Sequence, residues 1–189
     1  MPITRLDPSV ALVMIDLQVG TLAAELAHPA AAVTANAVRL LAAFRERGLP
    51  VVLASVDGTP AGRTQYGEGA REFPPPFSSL LPELAPRPDD IAVRRRTWSA
   101  FVGTDLDTQL RSLGVTGIVL AGVATSFGIE STARSAYDLG YSVAIASDAV
   151  TDRSLEAHEA SITRVFPVLG QVGSVTEILA LLGQDIAAP

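Results

Sequence analysis

Unbroken apolar runs alternate with amphipathic segments along this chain, and that alternation constrains the fold more than any other feature. Val10–Ile15 is apolar throughout, rich in β-branched residues, and bounded by Pro8 and Asp16. Similar runs lie at 51–56, 118–122 and 142–146, with weaker ones at 91–93 and around Gln171-Val172. A strand with one solvated face alternates polar and apolar residues, whereas a continuous run fits a strand covered on both faces, as in a parallel sheet. Between the runs the spacing predicts helices. Pro29–Arg47 places Val33, Ala37, Leu40, Leu41 and Phe44 on one face and stops at Gly48 and Pro50. Thr104–Leu113 ends at Gly114, Ser126–Leu139 ends at Gly140, and Ser154–Phe166 ends before Pro167. Ser174-Val-Thr-Glu177 forms a capping box that opens a last helix to Leu182. Strand–helix–strand repetition implies right-handed crossovers and helices on both faces of the sheet. The expectation is a single α/β domain over 1–189.

Segment 57–89 breaks the pattern. It is rich in Gly and Pro, includes Pro74-Pro-Pro76, and carries Arg63, Gln65, Tyr66 and Arg71. A loop of this length inside a compact domain is usually functional.

Composition removes several kinds of chemistry. The chain has no cysteine, so no disulfide, thiolate metal site or cysteine nucleophile is available to it. All fourteen basic residues are arginine, which excludes a Schiff-base lysine. With two histidines, His28 and His158, a histidine-rich metal site is not expected. A net charge of −6 argues against general nucleic-acid or anionic-membrane binding. No apolar run reaches the roughly 18 residues of a membrane span, and the segment from Met1 to Asp7 has no leader character. A cytoplasmic protein without metal or cofactor is the expectation.

In parallel α/β sheets ligands sit beyond the carboxyl ends of the strands. Asp16 directly follows the first run. A half-desolvated carboxylate there suits acid or base work, and equally suits a helix cap. Arg94-Arg-Arg96 follows the third run; its arginines cannot all face one way in an extended segment, so at least one is expected to turn inward, the alternative being a solvated run of charge. Trp98 and Phe101 come next, either as core residues or as a substrate wall. After the fourth run, Gly122-Val-Ala-Thr-Ser-Phe-Gly128 forms a turn into a helix, where backbone N–H groups can face an anion. No dinucleotide, phosphate-loop or nucleophile-elbow motif is present.

Four ordered segments resemble the isochorismatase-like (cysteine hydrolase) superfamily: Ala11-Leu-Val-Met-Ile-Asp-Leu-Gln18, Trp98 to Asp107, Ala121-Gly-Val-Ala-Thr-Ser126 and Glu130-Ser-Thr-Ala-Arg134. Gly140-Tyr141, Ser147-Asp-Ala149 and His158 continue the similarity. The resemblance implies a three-layer α/β/α fold with a six-stranded parallel sheet of order 3-2-1-4-5-6. It also implies a triad of Asp, Lys and Cys and a cis peptide between Val123 and Ala124. Asp16 stands at the Asp position, Arg95 at the Lys position and Gly128 at the Cys position. The members that lack the Cys cleave a vinyl ether, as in isochorismate, by protonating it.

The expectation is therefore a hydrolase that acts on a small, carboxylate-bearing substrate without a cysteine nucleophile. Asp16 serves as acid or base. Arg95 holds charge, either as a stand-in for lysine or as a fork on the substrate carboxylate. The backbone at Val123, Ala124 and Gly128 faces developing charge. Trp98, Phe101 and Phe127 wall the pocket, and Gln18 orients a water or Asp16. The alternative is a catalytically degenerate member that binds a small anion or a protein partner. A homo-oligomer, dimer or larger, is expected from the resemblance and the alanine-rich, apolar composition.

Overall fold

A computed structural model of the chain describes residues 3–184. Strands β1 (Val10–Ile15), β2 (Val51–Val56), β5 (Ile91–Arg95), β6 (Gly117–Val123), β7 (Ser142–Thr151) and β8 (Gln171–Gly173) form one sheet. Its spatial order is β5-β2-β1-β6-β7-β8, and every pairing is parallel. Counted along the sheet strands alone, this is the order 3-2-1-4-5-6. The remaining strands, β3 (Arg63–Thr64) and β4 (Gly67–Glu68), make a small antiparallel hairpin inside the 57–89 segment.

The helices are α1 (Val19–Leu22), α2 (Ala30–Glu46), α3 (Leu106–Ser112), α4 (Glu130–Asp138), α5 (Leu155–Ala160), α6 (Phe166–Leu169) and α7 (Val175–Gln184). They cover the sheet on both faces, which explains why β1 is apolar without a break. Val10, Leu12 and Met14 pack with Leu40 and Phe44 of α2 and Ile178 of α7. Ala11, Val13 and Ile15 pack on the opposite face with Leu106 and Leu110 of α3 and Ala133 of α4. The fully buried Phe44 ring alone is worth about 1.5–3 kcal/mol of transfer free energy. No described helix is long and apolar enough to cross a membrane.

Three elements differ from the sequence expectation. The helix expected from Ser126 starts with a wide π-type turn, Thr125–Ile129, before α4. Such turns occur often at functional sites. The helix expected to end before Pro167 instead passes through a second wide turn, Ser161–Val165, and continues into α6. Pro167 has no N–H to continue the helical ladder, and the wide turn just before it accommodates the missing bond. Strand β7 runs to Thr151, beyond the expected 146, because an irregularity near Leu120/Gly122 lets it re-pair with β6.

Candidate active site

Three strand ends build the site. Asp16 directly follows β1 and takes a left-handed backbone, φ 50°, a conformation Asp tolerates better than most residues. Its amide donates to Ala54 O at 2.9 Å, and its carbonyl accepts from the Gln18 amide and the Thr21 hydroxyl. These bonds turn the chain so that the side chain points along the carboxyl end of the sheet.

Arg95 ends β5 and is 4% exposed, although its neighbours Arg94 and Arg96 lie on the surface. The pleat sends it inward alone. Its Nη1 donates to Asp16 Oδ1 at 2.9 Å and its Nη2 to Oδ2 at 3.0 Å. The fork is thus spent on Asp16, and Arg95 Nε is buried without a partner among the described residues. Burial raises the Asp16 pKa above its ordinary value, and the adjacent guanidinium opposes that rise without cancelling it.

Gly128 lies in the wide turn after β6. A Cβ there would stand 2.8 Å from Ile15 Cγ2 and 3.5 Å from Arg95 Nη2. A side chain at 128 would therefore press on Ile15 and lie against the guanidinium. The Val123–Ala124 peptide is cis.

Above these residues opens a cavity of about 290 Å³. Asp16, Val123, Ala124 and Gly128 form its floor, and Trp98 and Phe127 form one side, edge to face at 4.9 Å. The structure thus brings Asp16, Arg95 and Gly128 together and sets Trp98, Val123, Ala124 and Phe127 around the same space.

Two expected site residues lie elsewhere. Phe101 is buried and stacked on Tyr141 at 5.7 Å, away from the cavity. The amides of Ala100 and Phe101 donate to the Thr132 and Ser99 hydroxyls, and this tucks the ring under α4. Gln18 is fully buried and bonds through both ends of its amide to the Val56 backbone, at 3.0 and 2.9 Å. It clamps β1 to β2 and leaves Asp16 to Arg95.

Other cavity residues carried no sequence signal strong enough to single them out. Phe73 and Phe77 flank the proline run and close the cavity from the 57–89 segment. Gly20 makes room for them, since a Cβ at 20 would fall within 2.0 Å of the Phe77 ring. Arg96 and Arg153 also line the cavity. Arg96 pairs with Glu72 at 2.7 Å and Asp57 at 3.8 Å, whereas Arg153 forms no ion pair among the described residues.

The isochorismatase domain family model matches residues 10–177. The chain belongs to the isochorismatase family. It is 42% identical to the isochorismatase family protein YecD of Escherichia coli O157:H7, over 91% of this chain and 95% of that protein. An isochorismatase family protein from Burkholderia thailandensis superposes with a TM-score of 0.88 at 40% identity, over 95% of this chain and 98% of that one. The N-carbamoylsarcosine amidase of Thermoplasma acidophilum superposes with a TM-score of 0.75 at 26% identity, covering 88% and 96% of the two chains. This isochorismatase-family hydrolase has the fold of those structures, without a cysteine anywhere in its sequence.

Proposed function

We propose that the chain hydrolyses a small, carboxylate-bearing substrate without a covalent intermediate, with Asp16 as the proton-transferring group. The observation that carries this reading is a buried carboxyl of raised pKa on the floor of a mostly apolar cavity, in a chain with no thiol. A raised pKa suits a proton donor. Protonation of an enol-ether carbon by Asp16 leaves an oxocarbenium ion, to which water adds. The water's surplus proton returns to Asp16, and the hemiketal collapses to a ketone and an alcohol. Isochorismate offers such a bond together with carboxylates.

The cations sort themselves by their partners. Arg95 is committed to Asp16 and Arg96 to Glu72 and Asp57, which leaves Arg153 to hold a substrate carboxylate. Arg95 then acts on Asp16, keeping its carboxyl oriented and limiting the rise of its pKa.

The test is turnover of isochorismate, with nicotinamide and simple amides as controls, by wild type and Asp16→Asn. Asp16→Asn should lower kcat at least about 10²-fold, the usual scale for one acid–base group. Normal turnover by this variant places the chemistry elsewhere.

One observation favours a second reading, a member that binds an anion without turning it over. Both carboxylate oxygens of Asp16 are held in a closed fork. That reading predicts binding of a probe such as benzoate with no hydrolysis of any substrate class tested, and Arg153→Met should abolish the binding.

A further inference from the structure

The chain has only two histidines, and the fold sets them against each other. His28 lies in the segment between α1 and α2, and His158 lies on α5. Their ring centroids are 4.6 Å apart with the planes at 60°. His28 Nδ1 is 3.0 Å from Thr151 Oγ1, and His158 Nδ1 is 2.9 Å from Thr125 Oγ1. Both threonines are fully buried. Thr125 opens the wide turn that carries Phe127 and Gly128 to the cavity. Asp152, one residue after Thr151, accepts from the Ser126 amide at 2.7 Å and the Ser126 hydroxyl at 2.8 Å. The histidine pair and Asp152 therefore grip, from behind, the turn whose front is the cavity wall.

We propose that His158, braced by His28, is a positioning residue for that wall: the neutral ring holds Thr125 in place, and protonation of His158 loosens the turn. The inference rests on the cavity described under the proposed function and not on the reaction assigned to it. A neutral imidazole nitrogen can accept from or donate to a hydroxyl, whereas a cationic ring only donates. Protonation thus fixes Thr125 as acceptor. It also creates a charge close to Asp152, whose oxygens already receive N–H groups from Ser126, Arg153 and Ser154. A new cation competes for those oxygens, and Ser126 belongs to the turn. His28, Asp152 and Glu159 are the titratable groups that act on the ring; Glu156 shares its helix, and Glu130 accepts from Ser161 a turn further along. Burial and His28 favour the neutral form, while Asp152 and Glu159 oppose them, so the ring titrates below its ordinary 6.5.

Trp98, the single tryptophan, supplies the readout because it leans on Phe127 of that turn. Emission of the ligand-free chain is followed from pH 8 to 5, with far-UV circular dichroism in parallel. Wild type should show a shift in emission centred below pH 6.5, with the dichroism unchanged. His158→Gln keeps a neutral hydrogen-bonding group for Thr125 and should lose the shift. Thr125→Val cuts the link to the turn and should lose it as well, which decides the matter if His158→Gln does not fold. Asp16→Asn should retain the shift, since Asp16 on the cavity floor bonds Arg95 and not the histidine pair. A flat wild-type emission, a shift that survives His158→Gln or Thr125→Val, or one abolished by Asp16→Asn overturns the proposal. A shift accompanied by loss of dichroism also overturns it, because that is unfolding and not movement of the turn.

Discussion

Burial and the Arg95 guanidinium act on the Asp16 carboxyl in opposite directions, and burial wins. A carboxyl whose folded pKa is raised binds its proton more tightly folded than unfolded. Asp16 therefore costs stability above its folded pKa, and that cost is relieved as pH falls through that pKa towards the ordinary 3.8. Arg95 keeps the cost tolerable. Arg95→Met leaves a buried, unpaired carboxylate and should destabilise the chain by about 3–5 kcal/mol, the usual result of breaking a buried pair from one side. Asp16→Asn strands the guanidinium in the same way. The double variant removes both charges and should be more stable in urea than the sum of the single losses predicts. Additive losses would mean that the two side chains do not depend on each other. Arg95→Lys keeps the charge but cannot supply two parallel N–H groups, so it should fall between wild type and Arg95→Met.

Elements meet at the site through a few close backbone approaches. Gly122, near the end of β6, has φ 128°, and a Cβ there would stand 1.9 Å from Ile15 O on β1. Gly122→Ala must push two central strands apart at the point where Asp16 leaves β1. Its loss in urea unfolding should exceed the ~3 kcal/mol that bounds most point substitutions. Gly114, after α3, has φ 69° but open space around it. Gly114→Ala should cost only the ~1–2 kcal/mol of a left-handed residue that carries a Cβ. Similar losses at the two positions would show that the approach of β1 to β6 is not tight. His158 on α5 adds a pH dependence. Its folded pKa lies below 6.5, so the unfolded chain binds the proton more readily. The neutral ring's contribution is intact above pH 6.5 and is lost as pH falls below it. Thermal unfolding between pH 7.5 and 5.5 should show a falling midpoint in wild type and a shallower fall in His158→Gln. Equal slopes would remove His158 from the account.

Taken whole, the molecule closes a site that no continuous stretch of sequence contains. Its floor comes from the ends of β1 and β6, its aromatic side from the turns after β5 and β6, and its roof from Phe73 and Phe77, about sixty residues from Asp16. Because no cysteine lies in that site or elsewhere in the chain, hydrolysis by the purified protein should be unchanged by iodoacetamide. Activity lost on alkylation would mean that hydrolysis depends on another alkylatable group of the chain, an imidazole or a thioether.

The sequence by itself determined the layered sheet. Unbroken apolar runs such as Val10–Ile15 demand cover on both faces, and Gly48, Gly114 and Gly140 end the helices between them. It also determined what chemistry is unavailable; it marked Asp16 by its place after a strand, where ligands gather, and Arg95 and Gly128 by the family resemblance, at the Lys and Cys positions. Tertiary structure alone decided the partners. Nothing in the order of Arg94, Arg95 and Arg96 says which one the pleat turns inward, or that its fork closes on a carboxylate 79 residues away. From sequence Phe101 read as core or substrate wall and Gln18 as a group orienting a water or Asp16; packing under α4 claimed the first and the Val56 backbone the second. The contact of His28 with His158, the register shift that lengthens β7, and the placing of Phe77 over Gly20 depend on segments far apart in the sequence that the fold brings together. Local patterns fix which residues are buried; which buried polar groups meet is set by the distances that chain folding brings to a few ångströms.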